Sequence, residues 1–207
     1  MSLFSSTLQA EARGMYNWEE GLSLARESSR AELIQLVAAA DHVACVLQGS
    51  TISFALMGGF SLWLRGSRRD THDVDIAVGC NMLQLREVLS AQQRILRPAG
   101  PVSGVMRIFV KVGGEHNPGI PELYVMVDLI LCGSLGAPVD VHTASELVTA
   151  TTPLGPRQFP LLNIGSILNS KLGAFFGRRE ASDYLDIKFI TQHFADKALE
   201  PKMASEG

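Results

Sequence analysis

A chain of 207 residues, 46% of them hydrophobic, is long enough to bury one substantial core and short for two independent domains. Its 18 Lys and Arg against 21 Asp and Glu leave a net charge of -3 and a pI of about 5.9, a poor balance for gripping a polynucleotide backbone, which takes many cations to displace counterions. A small-molecule partner is therefore expected before nucleic acid, and no membrane span is expected, because the longest near-apolar run, residues 52–64, is broken by Ser and Gly and too short.

Cys45, Cys80 and Cys132 are widely spaced among apolar neighbours such as Ala44, Val46 and Leu131, and are expected to be reduced core residues. Residues 1–21 scatter Ser, Glu, Arg and Asn where a secretory signal would carry a basic and then an apolar block, so a cytoplasmic protein is expected.

Residues 3–26 are weakly amphipathic, carry Trp18, and predict a peripheral helical arm. From Ser29 onward, Leu33, Ile34, Leu36, Val37, Ala40, Val43 and Leu47 keep a helical apolar face, with Ser29 the expected cap and Gly49 the expected stop. Residues 52–57 are short, apolar and rich in strand formers, and run into Gly58-Gly59, from which a helix over 60–64 opens. The polar Arg68, Arg69, Asp70, Thr71 and His72 then lead into Asp73-Val74-Asp75-Ile76-Ala77-Val78, a predicted strand whose alternation puts both carboxylates on one face. Asn81 caps a helix reaching about Gln92.

Residues 105–112 and 123–131 predict two strands of a mixed sheet joined through the Gly-rich 113–119, and the second strand carries Asp128. From about residue 145 onward helices are predicted over 164–176 and 181–194, followed by a polar, frayed tail over 196–207. The chain thus reads as one α/β domain: an arm over 1–28, a core of sheet and helices over 29–135, and a C-terminal helical part over 136–207.

The Asp73-x-Asp75 pair carries the most chemical weight. Alternate strand residues point the same way about 6–7 Å apart at Cα, and two such hard oxygen ligands suit Mg²⁺ or Mn²⁺ together with phosphate oxygens and water. A metal held there would bridge a triphosphate and activate an attacking oxygen. Alternatively the two acids are only a solvent face, but Val74, Ile76 and Val78 form a buried opposite face, and acids on a central strand are unfavourable without a neutralising partner. Gly58-Gly59 is either a plain turn or a strand-to-helix turn whose N–H groups approach a phosphate, and Ser61 either donates to that phosphate or caps the helix. Asp128 interrupts an apolar strand, which calls for a metal or a salt-bridge partner.

The stretch from Leu56 through Gly58-Gly59 to Asp73-Val74-Asp75 resembles the nucleotidyltransferase superfamily: a hydrophobic residue, Gly-Gly or Gly-Ser, a gap, then Asp-h-Asp, where h is hydrophobic. It looks most like the branch of minimal nucleotidyltransferases and AbiEii-type toxins, where Gly followed by Arg-x-Thr-x-Asp-x-Asp is typical; Gly66, Arg69, Thr71, Asp73 and Asp75 match. The resemblance implies a nucleotidyltransferase fold, a short mixed sheet flanked by helices. It implies Asp73 and Asp75 as metal ligands, Asp128 as the third metal-binding and catalytic carboxylate, and Gly58, Gly59 and Ser61 facing the triphosphate, with Arg69, Thr71 and Lys171 at the nucleotide. Lys171, Arg178, Arg179, Asp183 and Asp186 resemble the family's C-terminal run, although Ser182 stands where a Lys is usual. Read without the resemblance, Asp183 and Asp186 bracket a helix N-terminus, where the macrodipole favours acids.

The implied activity is metal-dependent transfer of a nucleoside monophosphate from an NTP to a hydroxyl of a small molecule or macromolecule. A mean hydropathy of +0.16 and a thin basic complement keep a rival open, a nucleotide-independent isomerase or pericyclic cyclase with Met57, Phe60, Trp63, Met126, Phe175 and Phe176 lining an apolar pocket. A third reading is a non-catalytic binding protein or toxin partner. His42, His116, His142 and His193 are too scattered to form a ligand set and are expected to be structural or surface residues, whereas His72, beside the acidic pair, is placed to tune or contact a substrate.

Overall fold

The computed structural model describes residues 14–199, so the expected arm over 3–13 and tail over 200–207 lie outside the described residues. In chain order the elements are β1 (Met15–Tyr16), α1 (Trp18–Ser28), α2 (Leu33–Gly49), β2 (Phe54–Met57), α3 (Gly58–Trp63), β3 (Asp73–Val78), α4 (Met82–Ser90), β4 (Ile95–Pro98), β5 (Val105–Val112), β6 (Leu123–Leu131), β7 (Ser145–Thr152), β8 (Gly155–Leu162), α5 (Ile164–Arg178), α6 (Ala181–His193) and α7 (Ala195–Leu199). The strands form one mixed sheet in the order β1-β4-β5-β6-β3-β2-β8-β7, with β3 and β6 parallel and central.

Period-2 alternation sorts the central strands into two faces. Val74, Ile76 and Val78 of β3 and Val125, Val127 and Leu129 of β6 bury against Leu36, Val37, Val43 and Leu47 of α2 in the main core. The opposite face has two covers. Tyr16, and Leu24 of α1, pack on Phe109 and Tyr124 at one side, while Ile164 and Ile167 of α5 and Ile190 of α6 pack on Ala77, Ile130 and Leu162 at the other. Asp73, Asp75 and Asp128 lie on this second face, in the gap between the two covers.

The predicted strands over 105–112 and 123–131 form with those limits and pair antiparallel, and Asn81 caps α4 through its Oδ1, which accepts from Gln84 N at 2.9 Å. Several expectations change. Residues 18–28 are no peripheral arm: Leu24 is 1% exposed, and Met126 N donates to the buried Ser28 Oγ at 2.7 Å, which fastens α1 to β6. A capping box starts that helix, Glu20 N donating to Asn17 Oδ1 and Asn17 N to Glu20 Oε2. Ser29 closes α1 instead of opening α2, which begins after Glu32, whose N–H donates to Gln35 Oε1 at 2.9 Å.

The stretch expected to lead straight into helices holds the β7–β8 hairpin, turned at Gly155 (φ +86) with Thr152 Oγ1 donating to Gly155 O. Helix α7 extends into the tail expected to fray at residue 196. Cys45 is exposed, unlike the core position expected for it, whereas Cys80 and Cys132 pack against the two main cores, and all three are free thiols. His42 is structural as expected, and burial beside Arg94 and His116 pushes it down to about 4. No helix among the described residues is long and apolar enough to cross a membrane.

Candidate active site

The three acids of the second face come from two neighbouring strands in parallel register. Asp75 lies opposite Asp128, with Asp73 two residues earlier on β3. They line a cleft of about 900 Å³ together with Gly58, Gly59, Arg69, Thr71, Lys171, Arg178 and Ser182. Gly58 takes φ +66 at the β2-to-α3 turn, and a Cβ there would run into Asp75 Oδ2; a Cβ on Gly59 would run into the Arg69 guanidinium and meet Thr71 Oγ1 at 3.1 Å. Only glycines let these side chains close over the turn.

Residues 43–205 match the family described as nucleotidyl transferase AbiEii toxin, type IV TA system. The chain belongs to the AbiEii nucleotidyltransferase family. No curated relative matches the sequence. Among solved structures it is similar to JHP933 from Helicobacter pylori, at 17% identity and TM-score 0.51 over 79% of this chain and 68% of that one. It is also similar to an antigenic nucleotidyltransferase-like protein from Paracoccidioides brasiliensis, at 19% identity and TM-score 0.53 over 77% and 76%. These likenesses show the nucleotidyltransferase fold, the mixed α/β class expected from the motif.

Within this AbiEii-family site the charges pair in an order that sequence alone conceals. Asp183 and Asp186, 0% and 1% exposed, do not merely bracket the start of α6. Asp186 accepts from Arg69 Nε at 2.7 Å and Nη2 at 3.0 Å and pairs with Lys171 Nζ at 2.8 Å. Asp183 takes Arg178 at 2.7 and 2.9 Å and Lys171 at 3.4 Å, and the Arg178 guanidinium holds its carboxyl below the usual range. Three cations are thereby fixed on the wall facing the acids, and Ser182, in the place of the usual Lys, opens onto the same cleft.

Asp75 is the most perturbed acid. Burial, then the charges of Asp73 and Asp128, push it up to about 7, against a smaller pull from Lys171 and Arg178. Asp128 is not free beside it: Arg107, its cross-strand partner on β5, donates to both its oxygens at 2.8 and 2.7 Å. Among the described residues no three His, Cys, Asp or Glu side chains stand gathered as a metal site, and Asp128 is taken up by Arg107. Two carboxylates remain, and Asp73 and Asp75 fit a Mg²⁺-like ion that takes one or two protein carboxylates and fills the rest of its shell from phosphate and water.

Ser61, expected at the phosphate, is fully buried, and its hydroxyl donates to Gly58 O at 2.9 Å, so it braces the glycine turn from within. Thr71 Oγ1 lies 3.2 Å from Asp73 Oδ1 and orients that carboxylate. His72 lines the cleft with its Nδ1 3.2 Å from Ala31 O. The apolar pocket of the rival reading does not form as drawn: Met57 and Met126 line the cleft, but Phe60 is buried and stacked on Trp63 at 5.7 Å, Phe176 is 77% exposed, and charged side chains from both walls stand among the lining residues. Arg107 and Arg178 escaped sequence reasoning as site residues. Arg178 stands in the matched C-terminal run, but the role of Arg107 follows only from its strand register opposite Asp128.

Proposed function

We propose that the chain transfers the nucleoside monophosphate of an NTP to a hydroxyl acceptor in a reaction that needs Mg²⁺ or Mn²⁺. The observation that carries this is Asp75 lodged against Gly58 between Asp73 and Asp128, an acidic centre with an unmet demand for positive charge, facing a wall of fixed cations. Asp73 and Asp75 would hold the metal, with Thr71 fixing Asp73. When bound, the metal neutralises charge on the phosphates and polarises the phosphorus under attack.

The remaining work is positioning and charge stabilisation by the chain itself. Gly58 and Gly59 leave room for phosphate against the backbone, and Lys171 and Arg178, steadied by Asp183, face the triphosphate. Arg69, locked on Asp186, holds the wall that carries them. Asp128 takes the acceptor proton once Arg107 releases one of its oxygens. The net charge of -3 supports a small-molecule acceptor over a nucleic acid.

Calorimetric titration with ATP, GTP, CTP and UTP, each with Mg²⁺ or Mn²⁺, tests the reading. At least one NTP is expected to bind the wild type only with metal present, and to bind the double variant Asp73→Asn, Asp75→Asn about 100-fold more weakly. Binding of no nucleotide, or equal binding by the double variant, contradicts it.

A further inference from the structure

On the far side of Asp128 from the glycine turn lies a second cavity, of about 500 Å³. Its walls come from α1, β1, the β4–β5 connection and β5: Tyr16, Trp18, Leu22, Pro101, Val102 and Phe109. The Arg107–Asp128 pair borders this cavity and the catalytic cleft alike, so the two spaces meet at the third carboxylate. The polar groups near its rim are already satisfied: Tyr16 Oη donates to Arg107 O at 2.8 Å, and the Asn17 side chain caps α1. What faces the space is apolar and aromatic surface with one ion pair at its inner end, and Trp18 stands 80% exposed at the mouth. The volume is that of a small-molecule pocket. Among the described residues bordering it Arg107 is the one Lys or Arg, too little positive charge to track a phosphodiester chain.

We propose that this cavity binds an aromatic alcohol, a phenol or a flat ring system bearing one hydroxyl, with the hydroxyl directed to Asp128, and that this molecule is the acceptor. The acceptor role rests on the nucleotidyl-transfer reading above. The hydroxyl oxygen bonds to the α-phosphorus of the NTP as the bond from that phosphorus to the bridging pyrophosphate oxygen breaks. Pyrophosphate leaves with the bonding pair, and the hydroxyl proton passes to an Asp128 oxygen freed by Arg107 and on to water. Trp18 and Leu22 are then specificity residues: they touch the ring and not the phosphates, and both lie on the exposed side of α1, where replacement leaves the core intact.

The probe is 2-naphthol, titrated calorimetrically into the full chain, with Mg·NTP titrated into the same preparations as a check on folding and on the catalytic cleft. Wild type is expected to bind naphthol, Leu22→Gln about 5–10-fold more weakly and Trp18→Ala about 5-fold more weakly, while NTP binding changes less than about 2-fold. Naphthol binding that is absent, or equal in all three proteins, with NTP binding intact, overturns the cavity assignment and leaves the nucleotidyl-transfer reading standing. Naphthol binding that responds to the variants while no NTP binds any of the three overturns the acceptor role together with that reading. Transfer of label from an α-³²P NTP to tRNA or protein that is undiminished in Leu22→Gln shows a macromolecular acceptor and overturns the proposal.

Discussion

Asp75→Asn is expected to lower nucleotidyl transfer by about 10²–10³-fold, the loss typical of removing one charge-stabilising group from a pre-organised site, and yet to leave the protein more stable than wild type at pH 8 without divalent metal. The second half follows from Asp75 being driven up to about 7 by burial and by Asp73 and Asp128. A folded-state value above the ordinary 3.8 means that the native protein binds the extra proton between those two pH values. The group therefore imposes no penalty below about pH 4, and its ionisation removes stability as pH rises through about 7. Full desolvation would make that lift worth about 4 kcal/mol, and water reaching this half-buried carboxylate reduces it to about 2 kcal/mol. Asn keeps the shape and removes the charge. Urea unfolding at pH 5 and pH 8 should show wild type losing stability across the interval and Asp75→Asn losing less; parallel pH profiles, or a variant less stable at pH 8, would show that the charge is already neutralised by Lys171 and Arg178.

Asp186→Ala is expected to be the most destabilising single change in the site, by about 3–5 kcal/mol, because it takes the only carboxylate from Arg69 and leaves the buried Lys171 with the longer Asp183 contact alone. The same change unfastens Arg69 and loosens Lys171 on the phosphate-facing wall, so the wall is no longer held in place and NTP affinity should fall with stability. Asp186→Asn is expected to cost less, since its amide oxygen still accepts from Arg69. Adding Arg69→Met to Asp186→Ala should recover part of the loss, because it removes the stranded charge. A loss below about 1 kcal/mol for Asp186→Ala in urea unfolding would mean the pairs behave as solvent-screened surface bridges.

These two residues also show where reading from sequence stops. β3, β5 and β6 are legible because apolar residues alternate along them and the acids stand out on the polar phase, and Gly58-Gly59 with Asp73-x-Asp75 fixes their order around the turn. β7 and β8 are not, since Pro156 and Pro160 read as strand breakers and the phase of 149–152 that buries, Ala150 and Thr152, is not marked by large apolar residues; β8 tolerates the prolines beside the polar end strand β7. The start of α1 carries a local signal of its own, Asn17 followed three residues later by Glu20. Asp183 and Asp186 look like helix-start acids because local position is all a sequence offers, whereas Asp186 meets Arg69 of the loop before β3, 117 residues earlier, and Asp183 meets Lys171 and Arg178 only because α6 turns back on α5. The Arg107–Asp128 pair is hidden in the same way, being set by register alone.

The most direct test of nucleotidyl transfer is to follow one NTP labelled in separate reactions at its α- and γ-phosphates, with Mg²⁺ and the wild-type chain. The account predicts that the γ label leaves as pyrophosphate while the α label joins an acceptor in equal amount, and that neither happens with Asp73→Asn. Release of the γ label as inorganic phosphate, or turnover that survives Asp73→Asn, would contradict it.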